Sequence, residues 1–118
     1  MKIGPRNPLN RRARIRTRIR ISTAGEPIRM ETVDLGPGGA QCLSPQSLPI
    51  GGSFPCRVWL GEGADDAWVE VVARVVRSEF RQDGFHIGLQ FTGLNRAIRE
   101  TLKKFLDRQE RKVEEDPP

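Results

Sequence analysis

The sequence predicts an all-β domain, a six-stranded antiparallel β-barrel with a C-terminal α-helix. Three observations predict it. Apolar and polar residues alternate at period two in short runs along most of the chain, as half-buried strands require. The 12 glycines and 9 prolines fall largely between these runs, where turns belong. Only from Leu94 onward does the apolar spacing become helical.

Element by element, the first strand begins at Ala13. Ile15, Thr17, Ile19 and Ile21 share one face, and Arg14, Arg16, Arg18 and Arg20 the other. β-Branched residues at that period favour a pleated, half-buried surface. Ala24-Gly25-Glu26-Pro27 turns the chain into a second strand, Ile28 to Leu35, with Ile28, Met30, Thr32 and Asp34 on one side. Gly36-Pro37-Gly38-Gly39 breaks that strand, and a short apolar piece with Ala40, Cys42 and Leu43 follows. After a loop over residues 45–52, Phe54, Cys56, Val58 and Leu60 alternate with Pro55, Arg57 and Trp59. Residues 61–66 read as a polar hairpin loop.

The next strand places Val69, Val71, Ala73 and Val75 inward. Val72 and Val76 then fall on the outer face, which predicts a bulge or a patch covered by the helix. Gln82-Asp83-Gly84 turns into a last strand carrying Phe85, Ile87, Leu89 and Phe91. Leu94, Ile98, Leu102, Phe105 and Leu106 form one helical stripe, with Asn95 as N-cap. Glu100 with Lys104, and Asp107 with Arg111, are pairs four residues apart. The organisation expected is a flexible basic arm at 1–10, one domain at 11–112 and a frayed acidic tail at 113–118.

Composition excludes several classes. A chain of 118 residues with 36% apolar and 30% charged residues suits one globular core. No run approaches the roughly 18 apolar residues of a membrane helix. Lys2 and Arg6 are not followed by the apolar segment of a secretory leader, so a cytoplasmic location is expected. Cys42 and Cys56 each sit inside an apolar pattern, the ordinary setting of buried thiols. One histidine, no clustered metal ligands and no nucleophile elbow or P-loop argue against an enzyme, and no cofactor is expected. Residues 1–23 hold eight basic side chains and no acid, whereas the remaining 95 residues carry a net −3. A basic arm ahead of a mildly acidic body calls for an anionic ligand, and arginine suits phosphate through bidentate bonding.

Several segments carry a resemblance when taken in order. They are the basic lead-in to the first strand, Asp34-Leu35-Gly36-Pro37-Gly38-Gly39-Ala40, Gly51 before the strand at Phe54, Val75-Val76-Arg77, Gly88-Leu89-Gln90-Phe91, and Leu94 with the closing helix. In this order and spacing the chain resembles the PilZ domain family from Arg11 to Leu106. The resemblance implies a bacterial receptor for the second messenger cyclic di-GMP that signals to an effector protein, as a monomer or weak dimer. Such domains carry two arginines four apart before the first strand, and an Asp or Asn followed by Ser two later and Gly three after that. It therefore implies that Asp34 accepts hydrogen bonds from a guanine edge and that Gly39 lets the turn approach the ligand.

This chain departs from the pattern twice. Gly36 stands where the serine is expected and supplies only its backbone N–H. The arginine spacing fits Arg12 with Arg16, Arg14 with Arg18, and Arg16 with Arg20. With a first strand of usual length, Arg12 takes the second position and Pro8 the first, leaving Arg6 or Arg11 as the substitute. The cyclic di-GMP-binding set expected is thus Arg11, Arg12, Arg16, Asp34, Gly36 and Gly39.

Plainer readings stand beside it. The glycines can serve as positive-φ turn residues alone, and Asp34 as a turn cap. Trp59 and Trp68 are expected to pack against the helix, and His86 to point outward. A PilZ domain that binds no nucleotide and acts through protein contacts is the main alternative. Single-stranded nucleic acid is not expected as a partner, because the seven aromatics (five Phe, two Trp) fall mostly at core positions.

Overall fold

A computed structural model of the chain describes residues 13–60 and 68–115, with side chains as far as Gln109. The strands are β1 (Arg18–Ile21), β2 (Ile28–Gly36), β3 (Gly39–Ser44), β4 (Ser53–Trp59), β5 (Trp68–Arg81) and β6 (Gly84–Thr92), and α1 spans Arg96–Glu115. Every pairing is antiparallel, and the order β1-β2-β3-β6-β5-β4 closes because β1 pairs with both β2 and β4. Closure leaves no open sheet edge. The predicted alternation fills the interior: Ile19, Ile21, Val58, Ala73, Val75 and Ile87 are all at most 1% exposed. The hairpin loop expected at 61–66 lies outside the described residues.

Leu102, Phe105 and Leu106 from α1 join the same core. The helix starts where predicted, since Asn95 Oδ1 accepts the Ile98 N–H at 2.8 Å. Glu100 pairs backward with Arg96 (3.3 Å) and not with Lys104, while the pair drawn to Arg111 reaches a side chain outside the described residues. The helix continues to Glu115, into the segment assigned to the tail.

Four expectations need correction. The two tryptophans pack on each other on the barrel wall, while the main strand contact of the helix is β2. They face each other across β4 and β5, half-buried and edge-to-face with centroids 5.1 Å apart. The Arg20 guanidinium lies 5.1 Å over Trp68. Second, regular pairing of the first strand begins at Arg18, not Ala13. Third, the corner glycines supply no positive φ; among the described residues that role falls to Gly51, Gly84 and Gly93. With negative φ at Gly38, a Pro37-Gly38 turn excludes type II, and Pro37 suits the second position of type I.

The fourth correction concerns faces. Thr32 pairs with Cys42 but Asp34 pairs with Gln41, so Val33 is an extra residue on β2. Likewise Val75 pairs with Leu89 and Arg77 with Gly88, so Val76 is extra on β5. Each bulge reverses the alternation beyond it. Asp34 therefore leaves the inward face it would share with Thr32, and Leu35 takes the buried position at 0% exposure.

Candidate functional site

The corner between β2 and β3 is built from the hairpin Gly36-Pro37-Gly38-Gly39, with Gly36 and Gly39 paired across it. Both glycines are buried. The Gly38 carbonyl accepts the Phe91 N–H at 2.9 Å, which ties the turn to β6. Asp34 is half-buried on the outer side, and its Oδ1 lies 3.3 Å from the Gln41 N–H.

The lead-in to β1 reaches this corner. Ala13 forms an isolated antiparallel bridge with Leu35, through Ala13 N–H to Leu35 O (3.0 Å) and Leu35 N–H to Ala13 O (2.9 Å). Leu35 is the residue between Asp34 and Gly36. Between Ala13 and Thr17 the lead-in spans four steps while β2 spans three from Leu35 to Thr32, so the ladder cannot stay regular. The buried Thr32 hydroxyl fills the mismatch: it accepts the Thr17 N–H (2.8 Å) and donates to the Ile15 carbonyl (2.5 Å). The Thr17 hydroxyl in turn donates to the Trp59 carbonyl (2.5 Å). These two threonines pin the lead-in to the barrel on both sides.

Of the expected site residues, Asp34, Gly36 and Gly39 are brought together. Arg6, Arg11 and Arg12 lie outside the described residues, which begin at Ala13. Arg16 is exposed and pairs with Glu31 at 3.7 Å, three residues before Asp34 on β2. His86 reaches Asp83 (Nε2 to Oδ1, 2.7 Å), and that hydrogen bond holds the Asp83 carboxyl below its ordinary range.

Sequence reasoning missed three participants. The alternation presents Thr32 as one more inward residue, although an inward hydroxyl among aliphatic neighbours calls for a partner. Gln41 and Gly88 become visible only through strand register. A basic row also emerges, since Arg29, Arg20 and Arg57 are direct neighbours across β2, β1 and β4. Only Arg57 has an acidic partner there among the described residues, Glu70 at 3.4 Å. Arg20 Nε is buried without a hydrogen-bond partner. Among the described residues no cluster of metal-ligating side chains occurs, and no helix is long and apolar enough to cross a membrane.

Solved structures share this architecture. The Bacillus subtilis inhibitor of motility MotI/DgrA superposes with a TM-score of 0.73 at 20% identity, over 86% of this chain and 50% of that one. Escherichia coli YcgR, solved in complex with c-di-GMP, superposes with a TM-score of 0.76 at 18% identity, over 88% of this chain and 46% of that one. The PilZ domain of E. coli YcgR with c-di-GMP gives 0.66 at 16% identity, over 85% of this chain and 86% of that one. The chain thus spans about half the length of the first two and matches the isolated domain nearly end to end. No curated protein sequence matches it significantly. The PilZ domain model matches residues 7–108. With that match spanning lead-in, corner and closing helix, on a closed barrel of the same architecture, the chain belongs to the PilZ domain family.

Proposed function

We propose that the chain is a non-catalytic receptor for cyclic di-GMP that binds the dinucleotide between its leading arginines and the corner from Asp34 to Gly39. The observation that carries this reading is the Ala13–Leu35 bridge. Ala13 follows Arg11 and Arg12 directly in the chain, and it is bridged to the residue that separates Asp34 from Gly36.

The chemistry is complementary. Two phosphates suit guanidinium forks, the purine faces suit stacking on arginine, and the guanine N–H edge suits the Asp34 carboxylate. Arg16 joins once its exposed pair with Glu31 opens, which costs little because exposed ion pairs contribute roughly 0–1 kcal/mol. Ordering the arm over the barrel changes the surface offered to an effector protein, and the ordering cost lowers affinity.

Isothermal calorimetry with cyclic di-GMP tests the reading. Saturable heat is expected, and Arg12→Ala or Asp34→Ala should weaken binding by about tenfold or more, the worth of one charge-assisted hydrogen bond. An absence of heat at high protein concentration refutes it. The second reading, a PilZ domain that binds no nucleotide and works as a docking module, is favoured by the missing hydroxyl at Gly36 and predicts that null result.

A further inference from the structure

We propose that the chain forms a symmetric dimer by pairing the outer edge of β5, from Val76 to Phe80, antiparallel with the same segment of a second copy. The dimer does not depend on the nucleotide reading of the Asp34 corner.

The barrel ring closes, but β5 outruns it. β4 begins at Ser53, opposite Arg74. The loop ahead of β4 reaches one residue further: Val75 N–H donates to the Gly52 carbonyl at 2.8 Å, and the Val75 carbonyl accepts the Gly51 N–H at 2.7 Å. From Arg77 to Arg81, β5 pairs with β6 alone. Val75 thus points its backbone polar groups away from β6. With Val76 inserted, the alternation directs those of Ser78 and Phe80 the same way. Among the described residues no backbone group meets them there. Val76, Arg77, Glu79, Phe80 and Arg81 are all exposed. Phe80 is 71% exposed although its ring lies 5.1 Å from that of Phe85. An unpaired edge carrying a large exposed apolar side chain is a template for another strand.

The edge itself selects the occupant. An antiparallel pair of identical strands sets one residue opposite its own copy, and charge decides which. A centre at Arg77 brings the two copies of Arg77 together. A centre at Glu79 opposes the two glutamates and sets Arg77 against Arg81. A centre at Phe80 leaves only residues 79–81 to pair, because Gln82 and Asp83 form the turn. Centred on Ser78, five residues pair, Val76 stands opposite Phe80 of the second copy, and Arg77 stands opposite Glu79 of the second copy on both sides of the axis. Arg77 spends one nitrogen on Gln41 and Glu79 one oxygen on Arg81, so each keeps polar atoms for this pairing. Strands that resist self-pairing carry lysine or proline at the edge; residues 76–81 hold neither.

Sedimentation velocity of the full chain over a range of concentrations tests the dimer, and a reversible monomer–dimer equilibrium is expected. Glu79→Arg and Arg77→Glu each set like charges across both symmetric pairs and should raise the dissociation constant about tenfold or more. Combining the two reversals restores opposite charges and should recover most of the association. Ser78→Pro removes an N–H that faces the open edge and not β6, so the barrel should fold, as circular dichroism will show, while the dimer is lost. Amide hydrogen exchange of the wild-type chain adds a readout that needs no variant. Ser78 and Phe80 should be protected at concentrations where the dimer forms and exchange freely on dilution. A wild-type chain that stays monomeric at the highest concentration reached overturns the proposal. So does a dimer that the charge reversals and Ser78→Pro leave unchanged, or one whose Ser78 and Phe80 amides stay unprotected.

Discussion

Thr32 is buried to 1% exposure, yet its hydroxyl makes two hydrogen bonds that no aliphatic side chain can replace. Thr32→Val keeps the shape and strands the Thr17 N–H and the Ile15 carbonyl away from water. Leaving such buried groups unpaired costs about 1–3 kcal/mol, so urea unfolding should show a loss of that size, and Thr32→Ser should recover most of it. Equal stability of Thr32→Val and wild type would show that the lead-in is held by its backbone bonds alone. Cys56 gives a pH signature. Burial pushes its thiol up to about 12 from the ordinary 9.0. Above pH 9 the unfolded chain gives up this proton while the folded chain holds it, so the folded state loses ground as pH rises toward 12. The expected slope is about 1.4 kcal/mol per pH unit. Comparing wild type with Cys56→Ala isolates the effect, because the variant should lack this component of the alkaline decline.

At the scale of elements, period-two alternation read correctly inward for Ile15, Thr17, Ile19 and Ile21, and again for Val71, Ala73 and Val75. It also located the disturbance at Val76, because Val72 and Val76 are apolar residues on the outer face, where both are exposed. The Val33 bulge was not legible. A bulge is a difference in residue count between two paired strands, and β2 alone shows only Val33 and Asp34 out of alternation, which does not fix that count. The tryptophans differ for a similar reason: size alone points large aromatics at the helix, while register pairs Trp59 with Trp68 on the wall. The bulges make a direct prediction. Val76→Thr keeps the residue count at a half-exposed site and should change stability by no more than about 0.5 kcal/mol. Deleting Val76 returns Arg77 to inward parity and buries an unpaired charge. The expected result is loss of several kcal/mol or of cooperative unfolding altogether, read by thermal or urea denaturation. A deletion variant as stable as Val76→Thr would mean that the bulge carries no structural consequence.

The first 23 residues carry +8 and the remaining 95 a net −3, and Ala13 within the basic segment is bridged to Leu35 beside Asp34. The order of turns, strands and closing helix along the chain was enough to indicate the family. The arginine assignment was not settled at that level. Positions 12, 14, 16, 18 and 20 offer three pairs with the four-residue spacing, so spacing alone does not choose among them. Ala13 supplies the anchor that spacing lacks. The account predicts that nucleotide binding depends on this anchor as a unit, so the lead-in and the corner should respond together. The most direct test follows backbone amides of the full chain by NMR during titration with cyclic di-GMP, with Asp34→Ala as reference. The account predicts saturable shifts at Ala13, Leu35 and the residues from Asp34 to Gly39 with one common midpoint, and their loss in the variant. Amide signals that stay in place through the titration, or move equally in Asp34→Ala, would contradict it.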